Sequence, residues 1–530
     1  MHPNVCPITR EREISIHGWR TLVWLLVGTL TSALFANGQT FPLRLSVLML
    51  AILTVGGLAS LRTVELSLLS RVFVVLYSIP FAATVGYLFD YQYVWTHGPQ
   101  REPLSHHHEL ISQMLMMAIV GLCGLAGGIE FATRIFRRRH GNIASPPPAL
   151  RTLNLPIVAI LLLVALYLSW LHAPTKTIFQ AAYGSIGNGA NRDIQAGLNS
   201  ASLASYLILA LLFVDLEQEP HGKRRTVKRI GLLAVTGYII VVLQFLRGDR
   251  ECAGLIAAVA LLHITSPATG GTGSSSAMKS RWIRIRGIAV PMAGCVLAFM
   301  ALVELRGVLA GTAQKYPYRK SWIVEVMTRN TWTAVAINNL GLAVEYHKGE
   351  IEYLYGRTYR DYILSLPPRA LSMKLGYRRP LDGPANPAIW YQKTVGVDGI
   401  HPVTIPFKNV GIWGVMAFGG MHPVIVPFKN FGIWGVLPVL FICGTLIGFC
   451  EIYNEHGTIS ARFLYASIAT CSMLWFWYAD MNLIRALSMW ASLLAVHWLA
   501  SRRECPNEPV SMPDAERFAM VLPESTQVAA

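Results

Sequence analysis

Long apolar runs that could cross a lipid bilayer are distributed along nearly the whole chain, and only the candidate near 252–266 is short. A spanning α-helix needs about 20 mainly apolar residues, and the sequence contains twelve candidate segments. Charged residues make up only 14% of the 530 positions, whereas soluble domains carry about 25%. The sequence therefore predicts an all-α polytopic membrane protein. The candidate spans lie near residues 20–37, 43–61, 70–90, 111–133, 153–172, 199–216, 230–247, 252–266, 288–306, 430–451, 461–479 and 483–500.

The cysteine pattern indicates neither a disulfide framework nor a metal site. Most of the eight cysteines lie in or beside apolar runs, and none forms a C-x-x-C pair, so we interpret them as small buried hydrophobic residues. The histidine-rich stretch at 106–109 has no spaced set of partner ligands, and we expect no metal or other cofactor. The first apolar run is long and lacks a clear cleavage site, so we expect no cleavable signal peptide.

Lys and Arg residues in the short connecting segments predict the orientation. Basic clusters follow the fourth, sixth and eighth spans, and others flank the two ends of the chain. All of these segments come after an even number of spans, and short basic loops favour the cytoplasm. We therefore expect both termini in the cytoplasm and the odd-numbered loops outside.

This orientation divides the chain into four parts. We expect residues 1–306 to form a bundle of about nine spans and residues 307–429 to form one large outer loop. Residues 430–500 would supply the last transmembrane helices, and residues 501–530 a disordered cytoplasmic tail. The large loop is rich in Lys and Arg, which favours either an anionic ligand or contact with anionic lipid headgroups. Charge alone does not separate these two possibilities.

A tandem repeat ends the large loop. The segment "HPVTIPFKNVGIWGV" at 401–415 returns as "HPVIVPFKNFGIWGV" at 422–436, with 12 of 15 positions identical. His422 can act as a base near neutral pH, Lys429 adds a cation, and Asn430 offers an amide to hydroxyl groups. A purely structural role for the histidine is an equal alternative.

The two copies stand in different sequence contexts. The second copy leads directly into a full apolar span, so we favour His422 as the functional histidine, with His401 as the alternative. Loop insertions cost little free energy, so we interpret the first copy as a relic of duplication. A re-entrant hairpin or a second working site stays open for it.

Arginines are placed where the outer loops meet the spans. In "FLRGDRE" at 245–251, Arg247 and Arg250 are three residues apart and would share one helix face. Arg306 ends the ninth span at the same surface. Guanidinium groups bind phosphate through paired hydrogen bonds, so these arginines could hold a pyrophosphate. Snorkelling to lipid headgroups is the alternative.

The stretch from 356 to 380 is amphipathic and contains two consecutive prolines. The residues that could lie on the membrane surface are Tyr359, Tyr362, Ile363 and Leu366, with Arg360 and Arg369 directed toward water. Arg378 and Arg379 follow at its end. Plain lid or surface structure and contact with a phosphate or sugar both stay open for this stretch.

Together these features resemble the superfamily of O-antigen polymerases and O-antigen ligases of bacterial inner membranes. The resemblance rests on the span number, the late outer loop, the arginine pair after the seventh span, and a His before G-x-x-G. The segment "HPVIVPFKNFGIWG" has Pro423 where the ligases tend to carry Asn, and its "NFG" resembles the polymerases.

The resemblance implies a fold of the glycosyltransferase C class in a bacterial inner membrane. It implies a polymerase that transfers a glycan from undecaprenyl pyrophosphate to a lipid-linked acceptor at the periplasmic face, without a metal. Arg247 and Arg250 would then hold the pyrophosphate leaving group, and His422 would orient or deprotonate the acceptor hydroxyl. Donor or acceptor contacts are expected from Arg306, Arg369, Arg378, Arg379, His401, Lys429 and Asn430.

The resemblance also bears on partners and on other functions. We expect membrane lipids and a regulator of chain length as further partners, and we expect no nucleic-acid partner. A ligase that transfers finished glycan to the lipid A core would use the same donor chemistry. A flippase or transporter should show repeats of its spans and charges near the middle of the membrane, and the sequence shows neither pattern.

Overall fold

A computed structural model of the chain describes about two fifths of its residues. The described residues are 7–61, 68–79, 81, 84–85, 88, 108–140, 154–171, 208–214, 223–238, 353, 355–365, 422–455, 458–472 and 481–500. Within these ranges the regular structure is helical and contains no strand. The prediction of an all-α chain is thus confirmed for this part of the protein.

The described helices are numbered here in chain order. They are α1 (Pro7–Ala36), α2 (Leu43–Ser60), α3 (Leu68–Ser78), α4 (His108–His140), α5 (Leu155–Leu171), α6 (Lys223–Tyr238), α7 (Arg357–Ser365), α8 (Ile425–Phe431), α9 (Ile433–Glu455), α10 (Ile459–Ser472) and α11 (Met481–Ala500). Residues 208–214 are also helical. In hydrocarbon a helix satisfies its own backbone hydrogen bonds, which is why apolar runs of this length adopt it.

Four described helices are long and apolar enough to cross a membrane. Their candidate spans are Gly18–Ala36, Leu43–Ser60, His108–Phe136 and Ile433–Asn454. Shorter apolar helices cover Leu68–Ser78, Pro156–Ala165 and Leu483–Leu499. All seven overlap predicted spans, and their length and composition suggest a membrane protein.

Other predicted spans differ from the described helices or lie outside them. Helix α3 begins at Leu68 and ends at Ser78, short of the end of the span predicted for 70–90, since Pro80 lacks a backbone N–H and disfavours helical geometry at Ile79. Helix α6 begins at Lys223, inside a segment that we expected to be a basic loop. The predicted spans 252–266 and 288–306 lie outside the described residues.

Helix α4 forms the centre of the described bundle. Every residue from 110 to 130 is buried, and α4 packs most extensively against α9 and then α1. The outer helices instead expose large apolar side chains, such as Leu26 on α1, Ile52 on α2 and Leu163 on α5. A buried central helix and apolar outer faces are what a bundle surrounded by lipid requires.

Glycines bring α4 and α9 into backbone contact. Each helix carries a G-x-x-x-G pair, Gly124 and Gly128 on α4 and Gly444 and Gly448 on α9. A Cβ atom at Gly124 would lie 2.6 Å from the carbonyl oxygen of Leu437, and one at Gly128 would overlap the backbone of Phe441. Small residues of this kind let membrane helices pack closely without a hydrophobic driving force.

A buried carboxylate joins the far end of α9 to α3. Glu451 accepts hydrogen bonds from the backbone N–H groups of Leu69, at 2.6 Å, and Ser70, at 3.2 Å, and from the Ser70 hydroxyl. The first N–H groups of a helix have no partner within it and attract negative charge. Glu451 on α9 therefore accepts hydrogen bonds from the first free backbone N–H groups of α3, although the two helices are almost four hundred residues apart in the sequence.

Candidate functional site

The second copy of the tandem repeat forms a short helix followed by a long one. Helix α8 ends at Phe431, and the Gly432 N–H donates to the carbonyl of Phe428 at 2.7 Å. Gly432 has φ 68°, which favours glycine because other residues are strained there. Helix α9 then starts at Ile433. All residues from 422 to 430 are buried, so the motif is an integral part of the packed bundle.

His422 is completely buried, with 0% of its surface exposed. Its ring packs edgewise against Tyr77 and Phe81, with centroids 4.6 and 4.8 Å apart. The Val424 N–H donates to Nδ1 at 3.4 Å, so Nε2 carries the proton and donates to the carbonyl of Tyr77 at 3.0 Å. Both ring nitrogens are therefore engaged within the protein.

Burial also sets the charge of this histidine. Loss of water around the ring lowers the pKa of His422 to about 4, against the smaller opposing effect of its hydrogen bond to Tyr77. The imidazole is thus neutral at pH 7. In this arrangement His422 fixes the start of the motif, and it would have to release Nδ1 before it could accept a proton from a substrate.

Tyr77 and Gly121 complete the surroundings of His422, and the sequence did not single them out. The Tyr77 hydroxyl donates to the carbonyl of Ala118 on α4 at 2.8 Å. A Cβ at Gly121 would overlap that hydroxyl and lie 2.8 Å from Cγ2 of Val424. A glycine therefore makes room for both groups. The only sequence feature that could have drawn attention to Gly121 is the glycine-rich run in α4.

Lys429 lies in α8 with 4% of its surface exposed. Burial lowers the pKa of Lys429 to about 6, because desolvation disfavours the charged form. The neutral amine therefore predominates at pH 7. The sequence led us to expect a cation here, and burial, which depends on the tertiary structure, accounts for the lowered pKa.

Asn430 connects α8 to the large loop. Its backbone carbonyl accepts from the Tyr355 N–H at 3.0 Å, and its Oδ1 accepts from the Thr358 N–H at 3.4 Å. Its side-chain amide donates to the carbonyl of Val426 at 2.8 Å. We expected this amide to meet substrate hydroxyls, and in the described structure its groups bind the protein itself.

A short segment of the large loop packs on α8 through these bonds. We call it the α7 segment, and it comprises Tyr353 and residues 355–365. Tyr359 stacks on Phe431, with the rings 6.1 Å apart and nearly parallel. Tyr359 thus packs against the protein, whereas the sequence left a position on the membrane surface open for it, and Arg357 and Arg360 are exposed.

The structure brings together His422, Lys429 and Asn430 in one buried segment, and the α7 segment, which carries Arg360, packs on it through Tyr355 and Thr358. The remaining predicted site residues lie outside the described residues: Arg247, Arg250, Arg306, Arg369, Arg378, Arg379 and His401. Their proposed roles stay predictions. Among the described side chains, no group of three or more His, Cys, Asp or Glu residues could hold a metal ion.

Comparison with known proteins adds no identification. The sequence matches no family model, and neither a curated protein nor a solved structure is significantly similar to it.

Proposed function

We propose that the chain is a glycosyltransferase of a bacterial inner membrane that polymerises lipid-linked repeat units of a polysaccharide. In this proposal about twelve spans form a bundle of the glycosyltransferase C class, with both termini in the cytoplasm. The all-helical apolar bundle supports the membrane setting. The short sequence motifs support the choice of chemistry.

One observation carries the proposal furthest. The motif "HPVIVPFKNFGIWG" is a folded unit at the start of the apolar helix α9, and its residues from 422 to 430 are buried. The α7 segment places two exposed arginines beside that unit. A buried segment that carries three polar side chains, His422, Lys429 and Asn430, beside exposed arginines where a span begins, suits a reaction on a lipid-linked anionic substrate.

The proposed reaction transfers a glycan to a hydroxyl group. The acceptor oxygen bonds to the anomeric carbon of the donor sugar while the bond from that carbon to the pyrophosphate oxygen breaks. The pyrophosphate leaves with the electron pair, and the acceptor proton passes to a base. Arg247 and Arg250 are proposed to stabilise the developing charge on the leaving group.

His422 takes a positioning role in the described arrangement, because both of its ring nitrogens are already hydrogen-bonded. Its proposed part in the reaction is to hold α8 and the start of α9 in place beside the substrate. Service as the base would require Nδ1 to be released from Val424.

Deletion of the gene, followed by gel analysis of surface glycan and lipid-linked intermediates, tests the proposal. A polymerase predicts that the ladder of surface glycan collapses to a single repeat unit. Long polymer accumulating on its lipid carrier would instead identify a ligase. Single lipid-linked units accumulating on the cytoplasmic side would identify a flippase and overturn the enzyme proposal.

Complementation then assigns the two repeat copies. The deletion strain receives His422→Ala, and His401→Ala serves as the matched control because it removes the same residue from the first copy. We expect loss of the ladder only with His422→Ala. The reverse result would assign the function to the first copy.

A further inference from the structure

We propose that the α7 segment is a membrane-interface element that binds the headgroup layer of anionic phospholipids. This inference concerns a lipid-binding surface and holds whether or not the chain is a polymerase. It rests on the depth of the segment, on the side chains that it exposes, and on its charge.

Contacts with the start of α9 place the α7 segment at a defined depth. The Tyr355 N–H binds the carbonyl of Asn430, and a Cβ on Gly432 would lie 2.9 Å from the Tyr353 hydroxyl. Ile433 follows immediately and begins a helix that is the most apolar of the four candidate spans. The segment therefore lies level with the point where α9 would enter the bilayer.

The exposed side chains around this point are large and apolar. Tyr355 is 80% exposed, Trp434 is 53% exposed and Ile363 is 51% exposed, and Tyr353 and Phe431 are also exposed. Exposed apolar area of this kind is unfavourable in water. Tyr and Trp are enriched at the boundary between hydrocarbon and headgroups, because their rings are amphipathic. The composition of this surface thus fits a membrane interface.

The charge of the segment fits a phosphate-bearing lipid. Arg357 and Arg360 are both exposed and three residues apart, so they lie on one face of α7. The nine residues of α7 contain these two arginines and one aspartate, which leaves a net charge of 2 − 1 = +1. Guanidinium groups pair well with phosphate oxygens, and cations near a membrane surface favour anionic lipids.

Exposed aliphatic residues on the α7 segment indicate that its partner is a lipid and not a glycan. A sugar platform would combine aromatic faces with polar side chains that bind hydroxyl groups. The α7 segment instead exposes Ile363 and Leu364 beside its aromatic residues. Aliphatic side chains gain free energy from contact with acyl chains and little from a hydrated sugar, so lipid is the partner that this surface favours.

Photo-crosslinking in the full-length protein tests the proposal. The amino acid p-benzoylphenylalanine replaces Tyr355, an exposed aromatic residue, and the protein is placed in nanodiscs that contain fluorescent phosphatidylglycerol or fluorescent phosphatidylcholine. We expect labelling at this position by phosphatidylglycerol in preference to phosphatidylcholine. The double variant Arg357→Gln/Arg360→Gln should lower phosphatidylglycerol labelling about 10-fold, because each cation near the surface contributes to the attraction.

Tyr167 supplies the matched control. It is another exposed tyrosine, on the apolar helix α5. The photo-reactive residue at this position should be crosslinked to both lipids equally, and the yield should not change in the Arg357→Gln/Arg360→Gln variant. Equal labelling of the two lipids at Tyr355 would overturn the proposal, as would phosphatidylglycerol labelling that the double variant leaves unchanged. If the double variant does not fold, the protein that retains both arginines still tests the proposal, because its labelling by the two lipids can be compared directly.

Discussion

His422 shows how burial changes the part that a motif residue can play. The sequence left a base near neutral pH and a structural role as equal alternatives, and it identified correctly the position of this residue before an apolar helix. Its protonation depends on Tyr77 and Phe81, which lie about 340 residues earlier in the chain. No local pattern reveals such a contact, so the residue could be predicted from the sequence and its neutral, buried state could not.

The lowered pKa of His422 predicts a pH dependence of stability. Between pH 6.5 and about pH 4 the unfolded chain binds a proton at this residue and the native protein does not. The free energy of unfolding therefore falls as the pH falls through this range, by about 3 kcal/mol in full. Thermal unfolding of the purified protein between pH 7.5 and about pH 4, compared with His422→Gln, isolates this contribution.

His422→Gln removes the titrating ring and retains an amide that can donate to the carbonyl of Tyr77. We expect the wild type to be more stable at pH 7 and this advantage to shrink toward pH 4. The control is His401→Gln, which changes the same residue of the first copy. Parallel curves for the wild type and His422→Gln would show that the histidine is already solvated.

Asn430 allows a second prediction at the same scale. Asn430→Ala removes the acceptor for the Thr358 N–H and the donor to the carbonyl of Val426, and it keeps the backbone bond to Tyr355. We expect a loss of about 1–3 kcal/mol of stability, since buried partners are left unsatisfied. Limited proteolysis should also cut the α7 segment faster. Asn409→Ala is the matched control, and equal effects of the two changes would contradict the prediction.

At the scale of elements, the close packing of α4 on α9 is the most testable feature. Gly128→Ala places a methyl group against the backbone of Phe441, where no flexible side chain can move aside. We expect the free energy of unfolding to fall by about 1–3 kcal/mol, as it does for other overpacked cores. Thermal unfolding in detergent measures this change. Gly56→Ala in α2 is the control, because a Cβ there meets nothing within 4 Å. A Gly128→Ala protein as stable as this control would mean that the two helices pack less closely.

Hydropathy predicted where several helices lie but not how they pair. Helices α1, α2, α4 and α9 overlap their predicted spans because a run of apolar residues is a local property of the chain. The pairing of Gly128 with Phe441 and of Glu451 with Ser70 joins residues more than three hundred positions apart. Such contacts depend on the whole packing arrangement, so the sequence pattern did not reveal them.

At the scale of the whole molecule, the tandem repeat raises the question of which copy the fold uses. The described bundle contains the second copy, and the three residues that differ between the copies all make contacts there, with Val426 buried in the core. Ile425 is completely buried in the core, and Phe431 stacks on Tyr359. The first copy carries Thr404 and Val410 at the corresponding positions, so it would place a hydroxyl in an apolar core and lose the ring contact.

Removal of residues 401–421 should therefore leave the folded bundle intact. This deletion takes away one 21-residue unit and joins residue 400 to His422, so every described contact of the second copy is kept. We expect its thermal unfolding to match that of the full chain. A triple substitution in the second copy should instead lower the free energy of unfolding by roughly 2–4 kcal/mol. It gives the second copy the sequence of the first and consists of Ile425→Thr, Val426→Ile and Phe431→Val.

The reciprocal change, Thr404→Ile/Ile405→Val/Val410→Phe, is the matched control and should leave stability unchanged, since it alters only the first copy. A deletion that destabilises the protein as much as the first triple substitution would show that the fold depends on both copies. Because loop length contributes little to stability, a large effect of the deletion would have to come from lost contacts. The comparison of these three proteins thus distinguishes a duplicated loop from a second structural element.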